Sequence, residues 1–200
     1  MKIAIIILVV AALAAIWLVT RSQGQTSSEN KTDATRNEVS APKDVYLGLR
    51  NTMLQGSRSK FSLAATAKPI EPWGVLMDWG VTNGTATVVA MSDGSASVYF
   101  SSGGGYIGGI GQEPIRRAAQ KALDVARAVQ LPSQPTTAYP LPEQHGVFFY
   151  FLTDAGVFML RTSEQELNSS GHPLRKVGDA MQDVITQYRL WDASGRKVVK

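Results

Sequence analysis

The chain has 200 residues and a formal net charge of +4, with 20 lysines and arginines against 16 aspartates and glutamates. It contains no cysteine and only two histidines, which excludes a disulfide framework, thiolate chemistry, an Fe–S cluster and a cysteine-ligated zinc. A lipid anchor attached through cysteine is excluded for the same reason.

The first element is an unbroken apolar run over residues 3–19, with Lys2 before it and Arg21 after it. As a helix this run is roughly 26 Å long, close to the ~30 Å hydrocarbon core of a bilayer. We therefore expect residues 1–20 to form a single-pass transmembrane signal-anchor that contacts the lipid bilayer through residues 3–20. A cleaved signal peptide is the alternative.

The second segment, residues 21–42, is polar and has Val39 as its one large apolar residue. Such a segment buries too little surface to offset the entropy of ordering it, so we expect a disordered linker. Residues 43–200 are expected to form a single globular domain. Basic residues flank the apolar run on both sides, so the positive-inside rule does not decide the orientation. The short head before a signal-like run favours an extracytoplasmic domain at the bacterial cell membrane.

Within this domain, the helical spacing of apolar residues predicts a helix over 43–55. From Pro72 onward the apolar residues recur at every second position, as in a β-strand. The dipeptides Asn83-Gly84 and Asp93-Gly94 separate three segments with this alternation. Both dipeptides are typical of tight β-hairpins. Residues 72–100 are therefore predicted to form a three-stranded antiparallel meander.

Residues 101–111 are predicted to be a loop with six glycines, and Pro114 follows where a helix begins. After a proline-rich connection, the aromatic run from Val147 and the segment up to Thr162 predict a second hairpin. A short capped helix and a last helix to about Leu190 follow. The predicted fold class is α+β: an N-terminal transmembrane helix, then a five-stranded antiparallel sheet (three-strand meander plus hairpin) with about three packed helices.

The order of these elements resembles the profilin-like and roadblock-type domains over residues 72–190, in topology and without a diagnostic motif. The stretch WGVLMDWGVTNGTATVVAMSDGSASVYFSSGGGYIGG, with HPL before the final helix, is similar to a group of small bacterial membrane-anchored proteins that have no assigned function. The first resemblance implies a domain that binds peptides, small ligands or partner subunits more often than it catalyses. The second implies a bacterial source.

Gly103, Gly105 and Gly108 form the pattern G-x-G-x-x-G between a strand and a helix. Glycines in such a loop allow backbone N–H groups to approach an anion, and a helix N-terminus adds positive potential. The preceding strands form hairpins rather than a parallel βαβ unit, and no P-loop lysine follows, so a nucleotide site is not expected. Together with Gly104, these glycines are candidate ligand-binding residues. A loop whose glycines serve packing or motion is the alternative.

Two further candidate ligand-binding residues are Asp78 and His172. Asp78 stands in the middle of a predicted strand, where aspartate is unfavourable. If its face of the sheet is buried, the carboxyl needs a hydrogen-bond partner and its pKa rises; if that face is open, it is simply solvated. His172 precedes Pro173 at the start of the last helix. A structural role is the alternative for both residues.

No motif for nucleophilic or paired-carboxylate catalysis is present, and two histidines without an acidic cluster argue against a metal site. The charge of residues 43–200 is scattered, 16 basic against 13 acidic side chains, so we expect no nucleic-acid partner. We expect no catalytic residue, no metal and no cofactor.

The predicted function is that of a membrane-anchored protein presenting a small binding or protein-interaction domain, whose partner is an unknown protein or a small ligand. The alternative is a ligand-sensing or enzymatic domain with a pocket formed by Asp78, the 103–109 glycine loop and His172. The sequence leans away from catalysis without deciding the question, and it leaves the oligomeric state open.

Overall fold

A computed structural model describes residues 41–195 of the chain. These residues form four α-helices and six β-strands, with single turns of 3-10 helix at Ser59–Phe61 and Gly109–Gly111. The helices are α1 (Pro42–Leu54), α2 (Glu113–Arg127), α3 (Glu164–Asn168) and α4 (Arg175–Ala193). The strands are β1 (Gly74–Val81), β2 (Gly84–Met91), β3 (Ala96–Phe100), β4 (Gly105–Ile107), β5 (Gly146–Thr153) and β6 (Gly156–Ser163).

All six strands belong to one antiparallel sheet in the order β4-β3-β2-β1-β5-β6. The predicted meander forms β1 to β3 and the predicted second hairpin forms β5 and β6, which join through the pairing of β1 with β5. The register places Asp78 of β1 opposite Thr87 of β2, and Thr87 opposite Tyr99 of β3. Tyr99 in turn lies opposite Gly105 of β4. These four residues therefore lie in one row across the sheet.

Both faces of the sheet are covered, so the domain has three layers. Helices α2 and α4 pack on one face, over Met77, Val88 and Phe149. Helix α1 and the second half of the proline-rich segment 131–144, with Tyr139 and Leu141, cover the other face, over Leu76, Val89 and Tyr150. Since successive side chains of a strand point to opposite faces, β1 is buried on both sides and is apolar almost throughout.

The composition of α2 explains how closely it lies on the sheet. The helix buries mostly alanines, and their small side chains let its backbone approach the strands. The buried alanines of α2 are Ala118, Ala119, Ala122 and Ala126. The hydrophobic effect is non-directional, so burial of these side chains holds the helix on the sheet without depending on any one particular contact.

The structure corrects the expected fold class in its strands, helices and membrane span. The sheet has six strands rather than five, because Gly105–Ile107, inside the predicted glycine loop, pairs with β3 as β4. The described residues hold four helices rather than about three. No helix within residues 41–195 is long and apolar enough to cross a bilayer, so the expected transmembrane helix is not found among the described residues, whose fold class is α+β. The segment predicted to form that helix, residues 1–20, lies outside the described residues, as does most of the predicted linker.

Candidate functional site

The Asp78 side chain is the centre of a buried ion pair. It projects from β1 towards α1, and its exposed fraction is 0%. Arg50, on the buried side of α1, donates from Nε and Nη2 to Asp78 Oδ2 over 2.8 and 2.5 Å. The Thr87 hydroxyl donates to the other carboxylate oxygen over 2.5 Å and lies 2.8 Å from the Tyr46 hydroxyl. Both carboxylate oxygens are therefore occupied by donors of the chain itself.

The Arg50 guanidinium also binds the proline-rich segment. Its Nη1 and Nη2 donate to the carbonyl oxygens of Tyr139 and Pro140 over 3.0 and 3.1 Å. The same guanidinium lies 5.3 Å above the ring centre of Tyr150, whose hydroxyl donates to the Pro140 carbonyl over 2.6 Å. One side chain thus connects helix, sheet and connecting segment.

Burial and the charge of the partner shift the pKa values of both Asp78 and Arg50. Burial raises the pKa of the Asp78 carboxyl, and the hydrogen bonds from Arg50 and Thr87 offset only part of that rise. Burial lowers the pKa of Arg50, but the hydrogen bond and charge of Asp78 outweigh it, so that the pKa is raised overall. All three hydrogen bonds to Asp78 run towards the carboxylate, which is the pattern expected of the ionised form. The geometry is that of a structural ion pair, without an open position for a ligand.

The glycines of the predicted loop shape the β3–β4 hairpin and the exit from β4. Gly103, Gly104, Gly105 and Gly108 have φ angles of +102°, +82°, +150° and +75°, which side chains rarely permit. A Cβ on Gly105 would lie 2.2 Å from the Val98 carbonyl oxygen, so this position requires glycine on steric grounds as well. Their conformations thus serve a tight hairpin and a strand edge.

His172 lies on the other side of the domain, between α3 and α4. Its Nδ1 accepts a hydrogen bond from the Leu174 backbone N–H over 3.2 Å, and its Nε2 lies 3.3 Å from the Thr162 hydroxyl. With Nδ1 accepting, the proton of the neutral ring is on Nε2, so His172 cannot accept a proton from Thr162 there. The Thr162 hydroxyl donates onward to Glu166 over 3.1 Å. The arrangement orders the start of α4 and lacks the geometry of a nucleophile and its base.

The structure does not bring the three candidate groups together. Asp78 points to the α1 face, whereas His172 bonds to Thr162, whose β5 partner Val147 belongs to the core on the α2/α4 face. Gly105 and Thr162 lie on opposite edge strands, five strand spacings or roughly 24 Å apart. The single pocket that the enzymatic alternative requires is absent from the part of the chain that the structure describes.

A shallow open groove of about 380 Å³ lies between the outer sides of α2 and α4. Its charged residues, Glu113, Arg117, Lys121 and Asp183, carry both signs, and Arg117 already pairs with Glu113. Residues 41–195 contain no cluster of histidine, aspartate or glutamate side chains suited to a metal ion. The groove therefore offers no single ligand chemistry.

The two edges of the sheet differ in how they are protected. At the β6 edge, the Thr136 N–H donates to the Val157 carbonyl over 2.7 Å, and the exposed Arg161 stands further along the strand. At the β4 edge, Ile107 is 62% exposed and Ile110 46%. Charged side chains and covering segments are the usual protection of an edge strand, and residues 41–195 supply neither to β4.

The register identifies which backbone groups β4 presents. The Gly108 N–H donates to the Ala96 carbonyl and the Phe100 N–H to the Gly104 carbonyl, so the even-numbered residues of this stretch bond to β3. The N–H and C=O groups of Gly105 and Ile107 therefore point away from the sheet. Within residues 41–195 no backbone group pairs with them. This open edge is the candidate functional site.

Sequence reasoning did not identify Arg50 or β4. Arg50 follows Tyr46 by four residues, so it lies on the buried stripe of the first helix, where an unpaired arginine is costly. That signal, matched with an aspartate in the middle of a strand, could have suggested the pair. The strand pairing of Gly105–Ile107 had no such signal, because glycine is depleted in strands.

Over residues 41–195, fold and site define an α+β domain with one open strand edge and a sheet covered on both faces. Comparison with protein families, with curated proteins and with solved structures finds no match for this chain.

Proposed function

We propose that this domain is a protein-interaction module that binds its partner by strand addition to β4. The observation that carries the proposal is the contrast between the edges, an open and apolar one at Ile107 and a covered and charged one at Arg161. In strand addition, main-chain hydrogen bonds supply affinity and the side chains beside the edge supply specificity.

Other features of the described residues support binding rather than catalysis. Asp78 is enclosed by its own hydrogen-bond partners, and His172 and the glycine hairpin lie at distant points of the sheet. The exposed apolar surface near β4 includes Ile107 and Ile110. Exposed apolar side chains beside unpaired backbone groups are typical of surfaces that bind another chain.

The test is site-specific photo-crosslinking of the full-length chain in the cells that make it. A photoreactive phenylalanine analogue replaces Ile107 in one variant and Ile70 in the control. Ile70 is 47% exposed and lies beside the β5–β6 turn, where the Ala155 N–H bonds to the Pro69 carbonyl. We expect adducts of discrete mass at position 107 and none of the same mass at position 70. Equal adduct patterns at both positions, or none at position 107, would contradict the proposal.

A further inference from the structure

We propose that the partner that adds to β4 is a second copy of this chain, paired through an antiparallel β4–β4 contact about a two-fold axis at Tyr106. This inference rests on the proposed function and names its partner. It follows from the register of the edge, the side chains beside it, the local charges and the protection of the opposite edge.

The register of β4 fits a copy of itself. In an antiparallel pair about Tyr106, Gly105 stands opposite Ile107 of the partner subunit, and Ile107 stands opposite Gly105 of the partner subunit. These are the residues whose N–H and C=O groups point outward. In an antiparallel sheet, two opposed residues whose backbone groups face each other exchange two hydrogen bonds. The two Gly105–Ile107 pairs therefore give four intermolecular hydrogen bonds, and no outward N–H or C=O group of β4 is left unpaired.

The side chains beside the edge fit the same arrangement. Ile107 and Gly105 project to the α1 face, since they pair with Ser97 and Tyr99 of β3. In the dimer the exposed Ile107 side chain covers the position opposite, where Gly105 has no side chain. Tyr106 projects to the other face, where its ring stacks on Tyr188 with centroids 5.1 Å apart. The tyrosine is held back against α4 and leaves the strand edge accessible.

The charges around β4 permit a copy to approach. Lys43 and Asp44 are exposed at the start of α1, where Pro42 lies 3.0 Å from the position of a Cβ on Gly103. Arg189 and Asp192 stand at the end of α4 beside Tyr106. Each pair consists of one positive and one negative residue, so these four described residues beside the edge add no net charge to it. A self-pairing surface of one sign would repel its copy, whereas this one does not.

The opposite edge explains why pairing stops at two chains. A β4–β4 contact uses the open edge of both copies and leaves two β6 edges at the ends of a twelve-stranded sheet. At each end Thr136 occupies the Val157 carbonyl and Arg161 is exposed. Because those edges do not accept another strand readily, the assembly is a closed dimer rather than a fibre.

Disulfide trapping of the full-length chain tests the geometry, because the protein has no cysteine of its own. In the Tyr106→Cys variant the two cysteines face each other at a non-hydrogen-bonded position, with Cα atoms about 4.5 Å apart, within the range that a disulfide spans. We expect mild oxidation to yield a covalent dimer. The Arg161→Cys variant, with its cysteine on the other edge, should yield at least tenfold less.

Sedimentation velocity of the full-length chain in a mild detergent gives a test that needs no cysteine. A three-residue contact is small, so we expect a weak dimer whose mass rises from one chain to two at concentrations on the order of 100 µM. Ile107→Lys places like charges near the axis and should abolish the rise, while Ile70→Lys, with similar exposure, should leave it unchanged. A monomer throughout, or a dimer that Ile107→Lys leaves intact, would overturn this inference.

The outcomes also separate this inference from the proposed function. Photo-adducts at position 107 with a mass other than twice that of the chain would leave the strand-addition module standing and overturn only the self-pairing. If position 107 gives no adduct and the chain stays monomeric, both proposals fail.

Discussion

At the scale of single residues, the Arg50–Asp78 pair is costly to bury, because both of its side chains are almost fully enclosed. Two charges are removed from water, and hydrogen bonds from Thr87 and to two carbonyl groups compensate for the lost hydration. Such a pair contributes little net stability compared with apolar residues of equal volume. Removing one partner, by contrast, leaves a buried charge without compensation.

We therefore predict that Arg50→Met and Asp78→Leu each lower the free energy of unfolding by about 3–5 kcal/mol. The double variant should lose less than either single variant, because no isolated charge remains. Urea denaturation of the wild type and the three variants measures these values. If the losses of the single variants simply add in the double variant, the pair does not act as a coupled unit.

At the scale of elements, two glycines with opposite roles show how tightly the strands and connections pack. Gly48 is exposed in the interior of α1, and a Cβ there would meet nothing within 4 Å. Gly80 lies on β1, where a Cβ would come within 1.8 Å of the Glu143 carbonyl oxygen. The first glycine therefore costs helix stability for no packing gain, and the second lets the proline-rich segment cross the strand.

We predict that Gly48→Ala raises the free energy of unfolding by about 0.5–1 kcal/mol, the difference in helix propensity between the two residues. Gly80→Ala adds the same methyl group but should destabilise the domain by several times that amount, because backbone must move to admit it. Thermal denaturation followed by circular dichroism distinguishes the two variants. A stable Gly80→Ala protein would mean that the segment at Glu143 yields easily.

Sequence patterns predicted those elements that have strong local signals. The meander was predicted from its period of two and its turn dipeptides, and it forms β1 to β3. The capped helix after the second hairpin forms as α3, with Ser163 and Glu166 in a reciprocal capping box. β4 was not predicted, because its pairing depends on β3 presenting a free edge, a property of the assembled sheet.

The candidate site was predictable only in part, for a related reason. The residue pattern identified Asp78 as unusual but could not show that α1 places Arg50 opposite it, 28 positions away. It grouped Asp78, the glycines and His172, whereas strand order separates them across the sheet. Strand order depends on which edges pair, and local periodicity carries no information about that.

At the scale of the whole molecule, buried tyrosines make the stability of the fold decrease at alkaline pH. Burial raises the pKa of Tyr46, Tyr150 and Tyr188 to about 12, against about 10 in an unfolded chain. The folded state keeps these protons between pH 10 and about 12 while the unfolded state loses them. Their contribution is therefore complete below pH 10 and is lost as the pH rises through this window.

We predict cooperative unfolding of the domain between pH 10 and 12, since each of these tyrosines removes on the order of 2–3 kcal/mol of stability over that range. The tyrosinate absorbance near 295 nm and the loss of far-ultraviolet circular dichroism should follow one curve for these three residues. Ionisation of all tyrosines near pH 10 with unchanged circular dichroism would show that the buried hydroxyl groups reach solvent without unfolding.

The reach of Arg50 along the chain has a consequence for how the protein is made. Of the described elements, helix α1 leaves the ribosome first, yet the carbonyl acceptors of Arg50 are 89 and 90 residues further on. Until these carbonyl groups emerge, Arg50 lacks two of the hydrogen-bond acceptors that compensate its burial. Helix α1 therefore cannot dock completely for most of translation. During synthesis the meander can assemble behind it, and α1 docks fully only after residues 139–140 have been synthesised. The helix nearest the start of the described domain is thus among the last to reach its final place.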